Sequence, residues 1–167
     1  MSESDEPEKR FAADVMLGRL TKWLRVLGFD ARSVLLANLA VIESLISGGF
    51  IPVTRREKFR GLDSVIFIGS DDHFEQLAEV ISLVGVGREE VRLFSRCILC
   101  NAGLDQISGQ TVFGAVPDYV FETASDFRKC PRCGRVYWPG SHRRKMIGQL
   151  ESLTGWRLRE GEEGGTK

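Results

Sequence analysis

Two Cys-x-x-Cys hooks, Cys97/Cys100 and Cys130/Cys133, use every cysteine in this chain. Each hook turns two sulfurs toward one point, and two hooks separated by 29 residues close a tetrahedral thiolate site around one zinc ion. The second hook is followed directly by Gly134, where the turn must leave room for backbone N–H groups to approach the sulfurs. Two disulfides or four unrelated thiols are the competing readings. Disulfides belong to oxidising compartments, and the opening Met1-Ser2-Glu3-Ser4-Asp5-Glu6-Pro7-Glu8 has none of the charged-then-apolar pattern of an export signal. The expectation is a reducing, cytoplasmic location and a structural Zn2+. Four thiolates leave no open coordination position, so such an ion holds a fold together, and chemistry must be sought elsewhere.

At 167 residues the chain can hold one α/β domain and a small metal-stapled partner too short to bury enough apolar surface unaided. No apolar run approaches the ~18 residues that span a bilayer, so no membrane partner is expected. The formal net charge of zero conceals segregation. Residues 9–60 carry ten Lys/Arg against four Asp/Glu, residues 61–127 three against eleven, and residues 128–145 seven against none. Two basic blocks flanking an acidic one can steer a polyanion, although solvated charge runs without function are common.

Hydrophobic periodicity orders the first half. Residues 11–15 read as a short strand running into a helix on which Met16, Leu17, Leu20, Trp23, Leu24 and Leu27 form an apolar stripe, ended by Gly28. Residues 29–36 read as a second strand, and Asn38 as the N-cap of a helix carrying Ile42 and Leu45. Residues 50–54 form a third strand. Residues 65–68 form a fourth, apolar as for a strand covered on both faces, and Ser70-Asp71-Asp72 caps a helix burying Phe74, Leu77 and Ile81. Strands alternating with helices predict a mainly parallel sheet with helices on both faces. Ligands bind such sheets beyond the carboxyl ends of the strands, here at Asp14, Asn38, Thr54-Arg55-Arg56 and Asp71-Asp72. After Gly87, short β-prone pieces (92–94, 111–113, 135–138) surround the cysteines, and a final helix spans about 142–153.

Carboxylates converging at strand ends hold magnesium or manganese and drive phosphodiester hydrolysis. Each acid has a plainer reading: Asp14 as a helix-start residue favoured by the macrodipole, Asp71 or Asp72 as an N-cap.

The run from Asp14-Val15-Met16-Leu17-Gly18-Arg19-Leu20-Thr21-Lys22-Trp23-Leu24-Arg25 through Gly28-Phe29-Asp30, the Thr54-Arg55 strand end, Ser95-Arg96-Cys97-Ile98-Leu99-Cys100-Asn101 and Cys130-Pro131-Arg132-Cys133-Gly134-Arg135-Val136-Tyr137-Trp138-Pro139-Gly140-Ser141-His142 resembles the Mut-seven C-terminal RNase domain family. The resemblance covers about residues 11–150. It implies a PIN-like α/β nuclease fold followed by a small four-cysteine zinc ribbon, RNA as substrate, and acids that bind Mg2+ or Mn2+. Carried over by position, the family's first acid falls on Asp14, its second near Asn38 and its third on Arg56, while Asp71 and Asp72 keep an acidic position. The catalytic candidates are Asp14, Asp71, Asp72 and Asn38. Asn38 still offers an amide oxygen, whereas Arg56 brings a permanent positive charge where a divalent cation is expected. Arg56 then pairs with Asp14 or Asp71, or binds phosphate; the plain alternative leaves it on a solvated turn with Arg55, Lys58 and Arg60.

Around the second hook, cations interleave with Tyr137, Trp138 and His142, the combination that holds single-stranded RNA by its backbone and stacks its bases. Candidate RNA contacts are Arg19, Arg25, Arg55, Arg56, Arg132, Arg135, His142, Arg143 and Arg144; Trp138 is assigned to packing. The domain plan is an acidic leader (1–10), a PIN-like domain (11–90), a ribbon with closing helix (91–155) and a loose tail (156–167). The functional expectation is an RNA-binding member of a ribonuclease family, serving RNA processing or turnover with metal-dependent cleavage weakened or lost. Its rivals are an active magnesium-dependent ribonuclease using Asp14, Asp71 and Asp72, and a protein-interaction scaffold.

Overall fold

The computed structural model describes residues 7–159. Most of the acidic leader (1–6) and most of the tail (160–167) lie outside the described residues. The chain divides into two compact units, the first ending at Phe94 and the second starting at Ser95.

In the first unit, β1 (Arg10–Asp14), β2 (Asp30–Val34), β3 (Phe50–Thr54) and β4 (Ile66–Phe67) form a parallel sheet of order β2-β1-β3-β4. β1 leads to β2 in one direction across the sheet and β2 leads to β3 in the other. Right-handed crossovers therefore put α1 (Gly18–Val26) and α2 (Leu39–Ser47) on opposite faces. α3 (His73–Val84) packs on α1, and α2 packs on β3. Phe11, Ala12 and Ala13 are fully buried because β1 is central and covered on both faces. Leu20, Leu24 and Leu77 fill the α1/α3 side, and Ile42 of α2 joins Leu36, Phe59 and Val65 in a separate buried cluster.

Gly28 does more than end a helix. It adopts φ +98°, and an added Cβ would lie 2.3 Å from the Arg92 carbonyl oxygen. Arg92 and Phe94 donate their N–H groups to Leu27 and Val26 oxygens at 2.8 and 2.9 Å, so residues 92–94 lie against the end of α1 as a strap. They do not form the strand expected of them, since that backbone is already spent on the helix terminus. β4 is also corrected: it is a half-buried edge strand two residues long, with the Arg60 guanidinium 4.1 Å from the Phe67 ring centre. Its apolar run fits a doubly covered strand equally well, and only its place at the sheet edge decides. Met16, expected on the buried stripe, is half exposed, because Val15–Leu17 form a 3₁₀ turn ahead of α1 and rotate it outward.

The second unit holds an antiparallel sheet of order β5-β6-β7, formed by β5 (Asp105–Ile107), β6 (Phe127–Lys129) and β7 (Val136–Tyr137), with α4 (Asp118–Thr123) and α5 (Ser141–Thr154). Val112, Val116, Val120 and Phe127 are its core, with Trp138 packed against them. Residues 111–113, expected as a β-prone piece, instead fall in and just after a 3₁₀ turn (Gly109–Val112) capped by Ser108. β5 escapes the sequence pattern because Asp105 and Gln106 are both exposed; its pairing to β6 defines it, without any alternation. The first residues of the expected loose tail are tethered: Leu158 is buried, and its N–H donates to Glu151 Oε1 at 2.8 Å. Among the described residues, no helix is long and apolar enough to cross a membrane.

Candidate functional site

Parallel register sets Asp14 at the end of β1 beside Thr54 at the end of β3. In a sheet of this strand order, that β1/β3 boundary is the topological switch point where ligands bind. Both side chains are fully buried. Asp14 does not cap the turn that follows it. Its Oδ2 accepts from Thr54 Oγ1 at 2.7 Å and from Arg56 Nε at 2.7 Å, and its Oδ1 from Arg56 Nη2 at 3.5 Å. Thr54 Oγ1 also accepts the Arg56 N–H at 3.1 Å, fixing the backbone that carries the guanidinium. A buried carboxylate needs a paired cation and hydrogen bonds, and here the chain supplies both from two residues at one strand end.

The other acids go elsewhere. Asp71 is almost wholly exposed and pairs with Arg55. Asp72 is the N-cap of α3: its Oδ1 accepts from the Phe74 and Glu75 N–H groups at 2.8 and 3.1 Å. Those two amides, Glu75's first, hold its carboxyl below the usual carboxylate range. Asn38 caps α2, its Oδ1 accepting from the Val41 N–H at 3.0 Å. Among the described residues, Asp14, Asp71, Asp72 and Asn38 do not gather into an oxygen cage: the one metal-sized group of three or more His, Cys, Asp or Glu side chains is the four cysteines. The strand-end residues therefore do not fit a magnesium site as they stand.

Beside the switch point, Arg19 and Lys22 of α1, Arg55, Asp71 and His73 line a groove of about 500 Å³. The His73 and Phe74 rings lie tilted to one another with centres 4.4 Å apart, as do Phe74 and Trp23 at 5.0 Å. Lys22 follows Arg19 by three helical positions, which places both on one side of α1. Arg25 turns away from such a role, since its Nε donates to the Ala31 carbonyl at 2.8 Å and ties α1 to β2.

In the second unit the two hooks fold alike. Asn101 and Gly134, each directly after a second cysteine, adopt φ +65° and +75°, and each donates its N–H to the first cysteine's carbonyl at 2.9 Å. Cys97 and Cys130 donate their N–H groups onward to the Ala102 and Arg135 carbonyls. These matched turns bring the four sulfurs within 4.8 Å of one another, with Cys97 to Cys133 at 3.7 Å and Cys100 to Cys130 at 3.2 Å. A tetrahedron with metal–sulfur bonds of ~2.3 Å has sulfurs ~3.8 Å apart, so the donor set fits one thiophilic ion. Burial opposes ionisation of Cys97, but the Tyr137 hydroxyl at 3.1 Å and nearby backbone amides bring its pKa down to about 6. Cys100 is pushed up to about 12, first by its hydrogen bond to Cys130 and then by desolvation. Thiolates this close repel one another, and a bound cation offsets that repulsion.

The ribbon cations divide in two. Arg143 is buried at 7% exposure and sits 3.9 Å from Asp126, which Arg128 also approaches at 3.6 Å, so Arg143 is part of the unit's interior. Arg132, Arg135, His142 and Arg144 stand exposed. Tyr137, which reaches Cys97, and Thr54, which fixes Asp14, carry contacts that no sequence spacing announced; only adjacency to a hook and to a strand end pointed to them.

Searches of curated proteins and of solved structures returned no match. A family model does match, over residues 9–150: that of the Mut7-C RNAse domain. It spans the parallel sheet, the strand-end residues and both cysteine hooks, and the chain therefore belongs to the Mut7-C RNAse domain family.

Proposed function

We propose that this protein is an RNA-binding member of its ribonuclease family, acting in RNA processing or turnover in the cytoplasm, with divalent-metal cleavage weakened or lost. The observation that carries the reading is the Arg56 guanidinium on Asp14. Metal-assisted hydrolysis needs net negative charge where the cation sits, and the best-placed carboxylate is already matched by a cation of the chain itself. With an effective dielectric of ~20, a unit charge at ~4 Å is worth ~4 kcal/mol of gross attraction, so a magnesium ion meets repulsion from Arg56 before it gains anything from Asp14. Asn38 and Asp72, occupied as helix caps, offer little compensation. RNA is held in this reading by the groove cations Arg19, Lys22 and Arg55 and by Arg132, Arg135, His142 and Arg144 of a zinc ribbon whose ion is structural.

Active magnesium-dependent cleavage is the second reading. Family membership and the burial of Asp14 at the switch point favour it. Titrating Mg2+ or Mn2+ against a labelled single-stranded RNA, and following binding and cleavage together, separates the two. Salt-sensitive binding without metal-dependent products is expected, and Arg56→Asp with Asn38→Asp should raise magnesium affinity. Robust cleavage by the unmodified protein, abolished in Asp14→Asn, would promote the enzyme.

A further inference from the structure

Arg55 follows Thr54 directly at the end of β3 and lines the groove with Arg19, Lys22, Asp71 and His73. Two features of it call for a ligand. Its Nε is buried and, among the described residues, has no hydrogen-bond partner, although a buried donor on a charged group is costly to leave unmade. Its ion pair, through Nη2, is with Asp71, a carboxylate 91% exposed. A guanidinium is a fork, and one oxyanion accepts from Nε and Nη2 together. Asp71 takes one tine and leaves the other empty. Arg19, Lys22 and Arg55 set three fixed cations against this one acid, an excess that suits a doubly charged ligand better than a singly charged one. Asp14 does not offset it, because Arg56 already matches that charge within the fold.

We infer that the groove is a metal-free pocket for a terminal phosphate monoester, the 5′-phosphate of an RNA strand, in which Arg55 exchanges Asp71 for the phosphate. This deepens the RNA-binding reading and rests on it. A monoester dianion presents three oxygens to Arg55, Arg19 and Lys22, whereas an internucleotide diester presents two and carries half the charge. A groove of about 500 Å³ takes the phosphate with its attached nucleoside. Asp71 is then a competitor for Arg55, the opposite of the part a metal-binding acid would play at the same position.

The experiment compares one short single-stranded RNA carrying either a 5′-phosphate or a 5′-hydroxyl, bound to the full chain in magnesium-free buffer, with a nucleoside 5′-monophosphate as competitor. The 5′-phosphate strand should bind roughly tenfold more tightly, the worth of hydrogen bonds to a charged group. Asp71→Asn should tighten it by a further 2–5-fold, roughly the worth of an exposed ion pair. Arg55→Lys keeps the charge and removes the fork, and should erase the ratio between the two strands while the unfolding midpoint stays in place. Equal binding of both strands overturns the pocket and leaves the RNA reading standing. Weaker binding of the 5′-phosphate strand by Asp71→Asn also overturns it. If neither strand binds, the RNA reading falls, and failure of the monophosphate to bind alone then removes the pocket as well.

Discussion

Arg56 donates through Nε to Asp14 Oδ2 at 2.7 Å, and Thr54 Oγ1 reaches the same oxygen at 2.7 Å. This pair decides both the stability of the strand-end and its chemistry. Arg56→Ala leaves a fully buried carboxylate with only a hydroxyl for company and should cost about 2–3 kcal/mol, below the full range for a broken buried pair because the Arg56 head is partly open to water. Adding Asp14→Asn should recover most of that loss, since the uncompensated charge goes with it. Denaturant midpoints of the two single variants and the double variant measure the coupling; strictly additive losses would mean that the two side chains contribute independently and the ion pair adds nothing.

One zinc ion per chain is expected in protein purified without chelator. Metal analysis gives the stoichiometry, and hydrogen exchange over residues 97–101 and 130–135 reports the hooks. Cys130→Ser should loosen both segments, because one shared ion would brace both matched turns. Protein that keeps these segments protected after complete metal removal would contradict the site.

Arg143 and the exposed ribbon cations should separate cleanly. Replacing Arg132, Arg135 and Arg144 together by alanine should weaken RNA binding and flatten the salt dependence by about 2 in slope, near 0.7 for each phosphate of a single strand that is no longer neutralised. Arg143→Ala should instead lower the unfolding midpoint, because it empties a buried position beside Asp126. A salt slope unchanged in the triple variant would place the RNA interface elsewhere.

Gly28→Ala should destabilise the first unit by more than about 2 kcal/mol, combining a left-handed backbone with a Cβ driven into the Arg92 carbonyl. Gly85→Ala, at φ +69° with open space around it, is the control and should cost about 1 kcal/mol. Comparable losses would show that the strap at residues 92–94 yields easily.

The sequence by itself determined the α/β alternation, the two matched cysteine hooks and the places where strands hand over to loops. Each rests on a local rule: helical spacing of Leu20, Leu24 and Leu27, two thiolates per turn, a cap or glycine at a boundary. The family resemblance also marked Arg56 as a cation where an acid is expected. The tertiary structure alone decided where that charge goes. Parallel pairing of β1 with β3 sets Asp14 and Thr54 side by side, 40 positions apart in sequence, and turns Arg56 onto Asp14 and not onto Asp71. It likewise sent Arg143 inward and Arg25 to a backbone carbonyl, and made a strand of the polar residues at 105–107. Those outcomes depend on contacts between distant segments, whose energies leave no periodic trace along the chain.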